Sequence, residues 1–224
     1  MLKNIVIGLC VLVLLSCDMV PTSTPTDPNQ SFSLSRLQST TFGPGYTKLT
    51  GRDSNGVNYT GSIHVASRPQ TILNGVSVTP IDFILSFSGG GASMTFAGTS
   101  NVDTNGNLIS VVIQTTGLTC EPVSPDAMPT TVKIGDFGIL PAMTCSDNST
   151  QERNWRVEDA ENGNINVISN ITVKNQSNTI ISVTDVTLTI NGNGNILSTK
   201  IVSTVPANNY TLTLKAHVND SIKT

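Results

Sequence analysis

The chain has 224 residues, with 12 Lys plus Arg against 15 Asp plus Glu and only 4% aromatic residues. A net charge of −3 on so sparsely charged a chain leaves no basic stripe able to neutralise several phosphates, which excludes the usual electrostatic footprint of a nucleic-acid partner. Thr, Val and Ile favour strands while Asn, Gly and Ser favour tight turns, so a chain dominated by them is expected to be mainly β.

The first element is MLKNIVIGLCVLVLLSCDMV. Lys3 gives a short positive start, and Ile5 to Leu15 form an apolar run that falls short of the about 20 residues needed to cross a bilayer. Residues 1–16 therefore read as an export signal, to be left out of fold reasoning. Leu14-Leu15-Ser16-Cys17 resembles the lipobox of bacterial lipoprotein signal peptides, although that family prefers a smaller residue where Leu15 stands. The resemblance implies cleavage before Cys17, which would carry a thioether-linked diacylglycerol and usually an amide-linked acyl chain. Two or three acyl chains hold a protein firmly at a membrane surface, whereas one does not. Asp18 resembles the residue that retains a lipoprotein in the inner membrane of enteric bacteria, so a host following that rule would keep the protein there.

Residues 17–40 read as the lipidated cysteine and a flexible tether, broken by Pro21, Pro25 and Pro28. Residues 41–224 then read as one exported antiparallel β domain. Asn55-Gly56 and Asn74-Gly75 mark hairpin turns. Pro80 is expected at a bulge or a strand edge. Phe83, Leu85 and Phe87 alternate at period two and are expected to face the core. Gly89-Gly90-Gly91 lacks the flanking pattern of a phosphate-cradling loop and reads as a turn. Two long strands are expected around Asp103–Asn107. His64 lies in an alternating stretch and reads as a sheet-surface histidine.

With Cys17 lipidated and Cys10 lost with the leader, Cys120 and Cys145 remain, and an oxidising compartment would pair them. The segment 120–145 contains four prolines and reads as an irregular crossover with a short strand near Thr131 to Ile134. Phe137, Ile139 and Leu140 are expected to pack over one end of the sheet. Hairpins resume with turns at Asn162-Gly163 and Asn191 to Asn195, and Tyr210, Leu212 and Leu214 alternate in a final strand. No amphipathic helix is evident. Asn105-Gly106-Asn107-Leu108 is close to Asn193-Gly194-Asn195-Ile196, so an internal duplication, with halves 41–117 and 150–218, is one reading; convergent turn chemistry is the other. With no helix to cover it, the sheet must meet another sheet or close on itself, giving a meander, a sandwich or a barrel-like fold.

Candidate chemistry is sparse. Glu158, Asp159 and Glu161 could be read as calcium ligands, but they lack EF-hand spacing and read better as a solvated turn. Asp53 with Asp103, or Glu158 with Asp159, could form a glycosidase pair only at the right separation in space. No nucleophile elbow or zinc motif occurs, and no cofactor or enzymatic activity is expected. Trp155 and Arg156 lie in the only tryptophan context. The tryptophan reads first as packing against the disulfide or capping the core, and the alternative makes Trp155 and Arg156 candidate ligand contacts. The sequence therefore reads as an envelope lipoprotein. Its partners would be membrane lipid through Cys17 and either an envelope protein or a small apolar ligand. It would serve as a structural or binding module, with an apolar-ligand carrier and an envelope hydrolase as alternatives.

Overall fold

The computed structural model describes residues 26–34, 45–126 and 128–221, so the leader, Cys17 and Asp18 lie outside the described residues. The strands are β1 (Phe32–Ser33), β2 (Gly45–Asp53), β3 (Asn58–Ser67), β4 (Thr71–Leu73), β5 (Val76–Gly89), β6 (Ala92–Asp103), β7 (Leu108–Ile113) and β8 (Leu118–Pro122). They continue with β9 (Thr131–Val132), β10 (Phe137–Cys145), β11 (Thr150–Asp159), β12 (Ile165–Lys174), β13 (Ile180–Ile190), β14 (Ile196–Val205) and β15 (Tyr210–Ser221).

Successive strands pair antiparallel in an up-and-down meander. β15 returns to β2, and β3 pairs with β5, so the sheet closes into a 12-strand barrel. β3 and β4 form one interrupted stave against β5, since Ser67 lies opposite Ile81 and Thr71 opposite Val78. Pro80 faces the interruption, where its missing N–H breaks no ladder bond, and its carbonyl accepts from the Arg68 amide. β1 and β9 pair only with each other.

Alternation decides which residues face the lumen. On β11, Gln151, Arg153, Trp155 and Val157 are buried, while Glu152, Asn154, Arg156 and Glu158 are exposed. Phe83, Leu85 and Phe87 point inward as their spacing predicts. The outer rows are mainly Thr, Ser, Asn, Lys and Glu. An apolar lumen inside a polar exterior is the reverse of a membrane-spanning barrel, which carries an apolar band outside. Where inward aromatics are large, the facing residue is small. Phe87 lies opposite Gly61, Phe83 opposite Gly98 and Trp155 opposite Gly138. A Cβ on Gly61 would stand 2.0 Å from the Ser86 carbonyl oxygen, so that position admits only glycine without backbone movement.

Four turns share one chemistry. The Oδ1 of Asp53, Asp103, Asn175 and Asn191 accepts the amides two and four residues on. The residue three on has positive φ: Gly56, Gly106, Asn178 and Gly194. An aspartate or asparagine that tethers its own turn, followed by a residue tolerant of the left-handed region, is what such hairpins select. The turns at residues 53–57 and 175–179 lie at one end of the barrel, the upper end here. Those at 103–107 and 191–195 lie at the other, lower end. The repeated Asn-Gly-Asn occupies two of these turns, 103–107 and 191–195, both at the lower end.

Two expectations for the disulfide-closed segment are corrected. Cys120 and Cys145 are bonded and stand directly opposite each other on β8 and β10. However, Phe137 to Cys145 is a stave of the barrel wall and not an irregular crossover. Phe137 and Ile139 are 81% and 88% exposed, because they occupy outward positions on that stave. Only Leu140 of the three is buried. A register shift between Leu140 and Met143 places Pro141 in a bulge, which is why the inward pattern restarts there.

Candidate functional site in the barrel lumen

Barrels of about eight strands are filled by their own side chains, and those of about sixteen enclose a channel. Twelve strands fall between, so something besides the wall must help fill the lumen. At the lower end it is a plug. Phe32 and Ser33 of β1 pair with Val132 and Thr131 of β9, and the Leu34 amide donates to the Thr130 carbonyl. Phe32 and Leu34 have no exposed surface, and with Val132 they join the barrel's apolar core. The Gly163 amide donates to Thr26 Oγ1, tying the incoming segment to the β11–β12 turn. Residues 26–34, read from sequence as part of the tether, are thus packed on the barrel. The missed signal is Ser31-Phe32-Ser33-Leu34-Ser35, which alternates at period two.

The other half of the plug comes from the segment between β8 and β10. It is held by bonds from the Leu108 amide to the Asp126 carbonyl and from the Gly135 amide to the Val157 carbonyl. It carries Asp126, whose carboxylate lies 2.7 Å from Arg153 Nη1, with the two side chains 4% and 2% exposed. Arg153 Nη2 donates to the Pro141 carbonyl, turned inward by the bulge. Arg153 Nε is buried with no hydrogen-bond partner. Burial raises the Asp126 carboxyl above its ordinary value, and this outweighs the lowering influence of the Arg153 charge and hydrogen bond. Trp155 lies two residues beyond Arg153 on the same inward row, its ring over Gly138. Nearer the upper end, the Gln151 amide reaches the two disulfide sulfurs.

The upper end is closed by aromatics. Tyr59 meets Phe87 edge-to-face at 5.7 Å between centroids, and Phe87 meets Phe96 at 6.0 Å. Tyr59 donates its hydroxyl to Asp53. Burial would raise the Asp53 carboxyl, but hydrogen bonds, led by that from the Val57 amide, overcome it and hold the group below its ordinary value.

The remaining sequence candidates separate. Arg156 points outward and pairs with Glu158 at 2.7 Å, so it shares no face with Trp155. At the β11–β12 turn, Glu158 is engaged by Arg156 and Asp159 accepts the Glu161 amide. Asp53 and Asp103 tether turns at opposite ends of the barrel, and Glu158 and Asp159 are successive residues of one strand, so neither pair faces a common substrate. A shallow outer groove of about 420 Å³ lies over β11–β15, lined by Asn166, Ile168, Thr189, Ser198, Lys200 and Lys215 among others. Sequence reasoning did not find Arg153 or Asp126, because 27 residues separate them and each looks like an ordinary surface charge in its local context.

No family model and no curated protein matches the chain. Among solved structures, it is similar to the crystal structure of a Bacteroides fragilis protein of YmcC-like fold, described as exported. The identity is 9%, covering 80% of this chain and 95% of that one, with a TM-score of 0.37. That likeness is too distant to carry function.

Proposed function

We propose that this chain is a lipid-anchored protein of the bacterial cell envelope whose barrel holds a single apolar chain in its lumen. The observation that carries this reading is the plug: the lumen already accepts an extended segment bearing Phe32 and Leu34, both without exposed surface. The inward wall is mainly Val, Ile, Leu and Phe, interrupted by polar residues such as Gln151, Ser182, Thr184 and Ser203, and its apolar stretches suit an acyl chain as well as a peptide strand.

The anchoring half rests on Leu14-Leu15-Ser16-Cys17. Fully extended, residues 17–26 span at most about 30 Å, so a lipidated Cys17 would keep the plugged end close to the membrane. That end also bears most of the large exposed apolar side chains, Ile72, Val76, Val123, Phe137 and Ile139. An acyl ligand would then reach the barrel from the membrane side. Cys17→Ser is expected to abolish incorporation of radiolabelled fatty acid and to release the protein from the membrane fraction. Continued labelling of that variant would remove the anchor from the reading.

The lumen half has its own test. Phe32→Ala/Leu34→Ala leaves all twelve staves intact and empties the plug's contribution. A plug that must open before the ligand enters lowers apparent affinity by the fraction of open molecules. The double variant is therefore expected to bind a neutral 12-carbon acyl probe about tenfold or more tightly than the parent, read by fluorescence titration. Absence of binding to both proteins would end the carrier reading.

A further inference from the structure

Resting on the lumen reading above, we infer that the ligand is an anionic single-chain amphiphile, a fatty carboxylate. Its head group takes Arg153 from Asp126 as its chain takes the place of Phe32 and Leu34. The argument starts from the cost of Arg153. A guanidinium in an apolar lumen cannot shed its proton, and well-packed apolar residues in place of a buried ion pair are often equally or more stable. The barrel wall offers Arg153 only the Pro141 carbonyl. The anion that neutralises it belongs to the plug segment and not to a stave. If the plug shifts to admit a ligand, a neutral guest would leave a buried cation without an anion. A carboxylate would restore the pair.

The geometry also suits a second anion. Nη1 is held by Asp126 and Nη2 by Pro141, while Nε is buried without a partner. Guanidinium binds carboxylate best through two parallel N–H donors, so an incoming head group can use the Nε side of the guanidinium, which Asp126 on Nη1 does not touch. The plug is then a built-in stand-in for the ligand, with the Asp126 carboxylate as head and Phe32, Leu34 and Val132 as tail.

The test uses the mature chain from residue 17, kept in solution by Cys17→Ser. Dodecanoate, dodecanol and dodecyltrimethylammonium are titrated while the fluorescence of Trp155, the only tryptophan, is followed. Dodecanoate is expected to bind about tenfold or more tightly than dodecanol, and the ammonium compound most weakly. Asp126→Asn removes the competing carboxylate and is expected to tighten dodecanoate by about tenfold or more. Asp126→Asn/Arg153→Met, which removes both charges together and so keeps the fold even where the single variant does not, is expected to bind dodecanoate and dodecanol within about twofold. Equal affinity for dodecanoate and dodecanol in the parent overturns the head-group assignment and leaves the lumen reading standing. Failure of all three compounds on every variant, Phe32→Ala/Leu34→Ala included, overturns both.

Discussion

Asp126→Asn is expected to destabilise the barrel more than Arg153→Met, although each deletes the same ion pair. Removing one partner of a buried pair costs about 3–5 kcal/mol, because the survivor is left charged and unpaired. The two survivors differ in what they can do next. Arg153 stays protonated at any accessible pH, so Asp126→Asn should incur the full penalty. Asp126 can take up a proton, and burial already holds its carboxyl above the ordinary value of 3.8. Arg153→Met removes the lowering influence of the cation and raises it further, so the carboxyl is neutralised and the loss at neutral pH falls to about 1–3 kcal/mol. The sign of the pH dependence follows. A carboxyl whose folded value is raised contributes stability fully below its unfolded value and loses it as pH rises through the folded one. Urea unfolding of Arg153→Met should therefore show stability rising on acidification from pH 7 toward pH 5. The double variant Asp126→Asn/Arg153→Met should recover most of the loss, giving strongly non-additive effects. A variant order with Arg153→Met the worse, or additive losses, would show that the pair does not behave as a buried charge couple.

What the sequence disclosed and what it hid divide along the range of the interactions. Turns closed by their own side chains were legible, because Asp53-Ser54-Asn55-Gly56 and Asp103-Thr104-Asn105-Gly106 contain the acceptor, the donors and the left-handed residue within five positions. Inward rows such as Phe83, Leu85 and Phe87 were legible through period two. Ring closure was not, since the pairing of β2 with β15 joins residues more than 150 positions apart, and whether a meander closes depends on tilt and stagger summed over all staves. The exposure of Phe137 and Ile139 was hidden for a related reason. Hydrophobicity says that a residue can be buried, and only the parity of its position on β10 says that it is not. The candidate site depended most on distant partners. Arg153 meets Asp126 because the plug folds back into the barrel, and nothing near either residue announces that.

Cys120→Ser/Cys145→Ser is expected to lower stability by about 3–4 kcal/mol and to act at one seam first. The chain-entropy estimate for a closed loop of 25 residues gives that magnitude. In a domain of this size it corresponds to a melting temperature lower by about 6–16 °C. The position of the bond explains why the loss should be local before it is global. β8 is held to β7 by three residue pairs and to β10 by three, one of which is the disulfide pair itself. By contrast, β11 and β12 share ten. The bond therefore fastens one of the two shortest ladders in the ring, both made by β8, and it does so at the base of the segment that carries both Asp126 and β9. Without it, amide exchange in residues 118–136 should rise well before that of β11 to β15. The plug should then open more often, so an acyl probe should bind the reduced protein more tightly than the oxidised one if Phe32 and Leu34 occupy the ligand's place. A melting temperature unchanged to within about 2 °C on reduction would mean that the neighbouring staves alone hold this seam, and that the plug's closure does not depend on the bond.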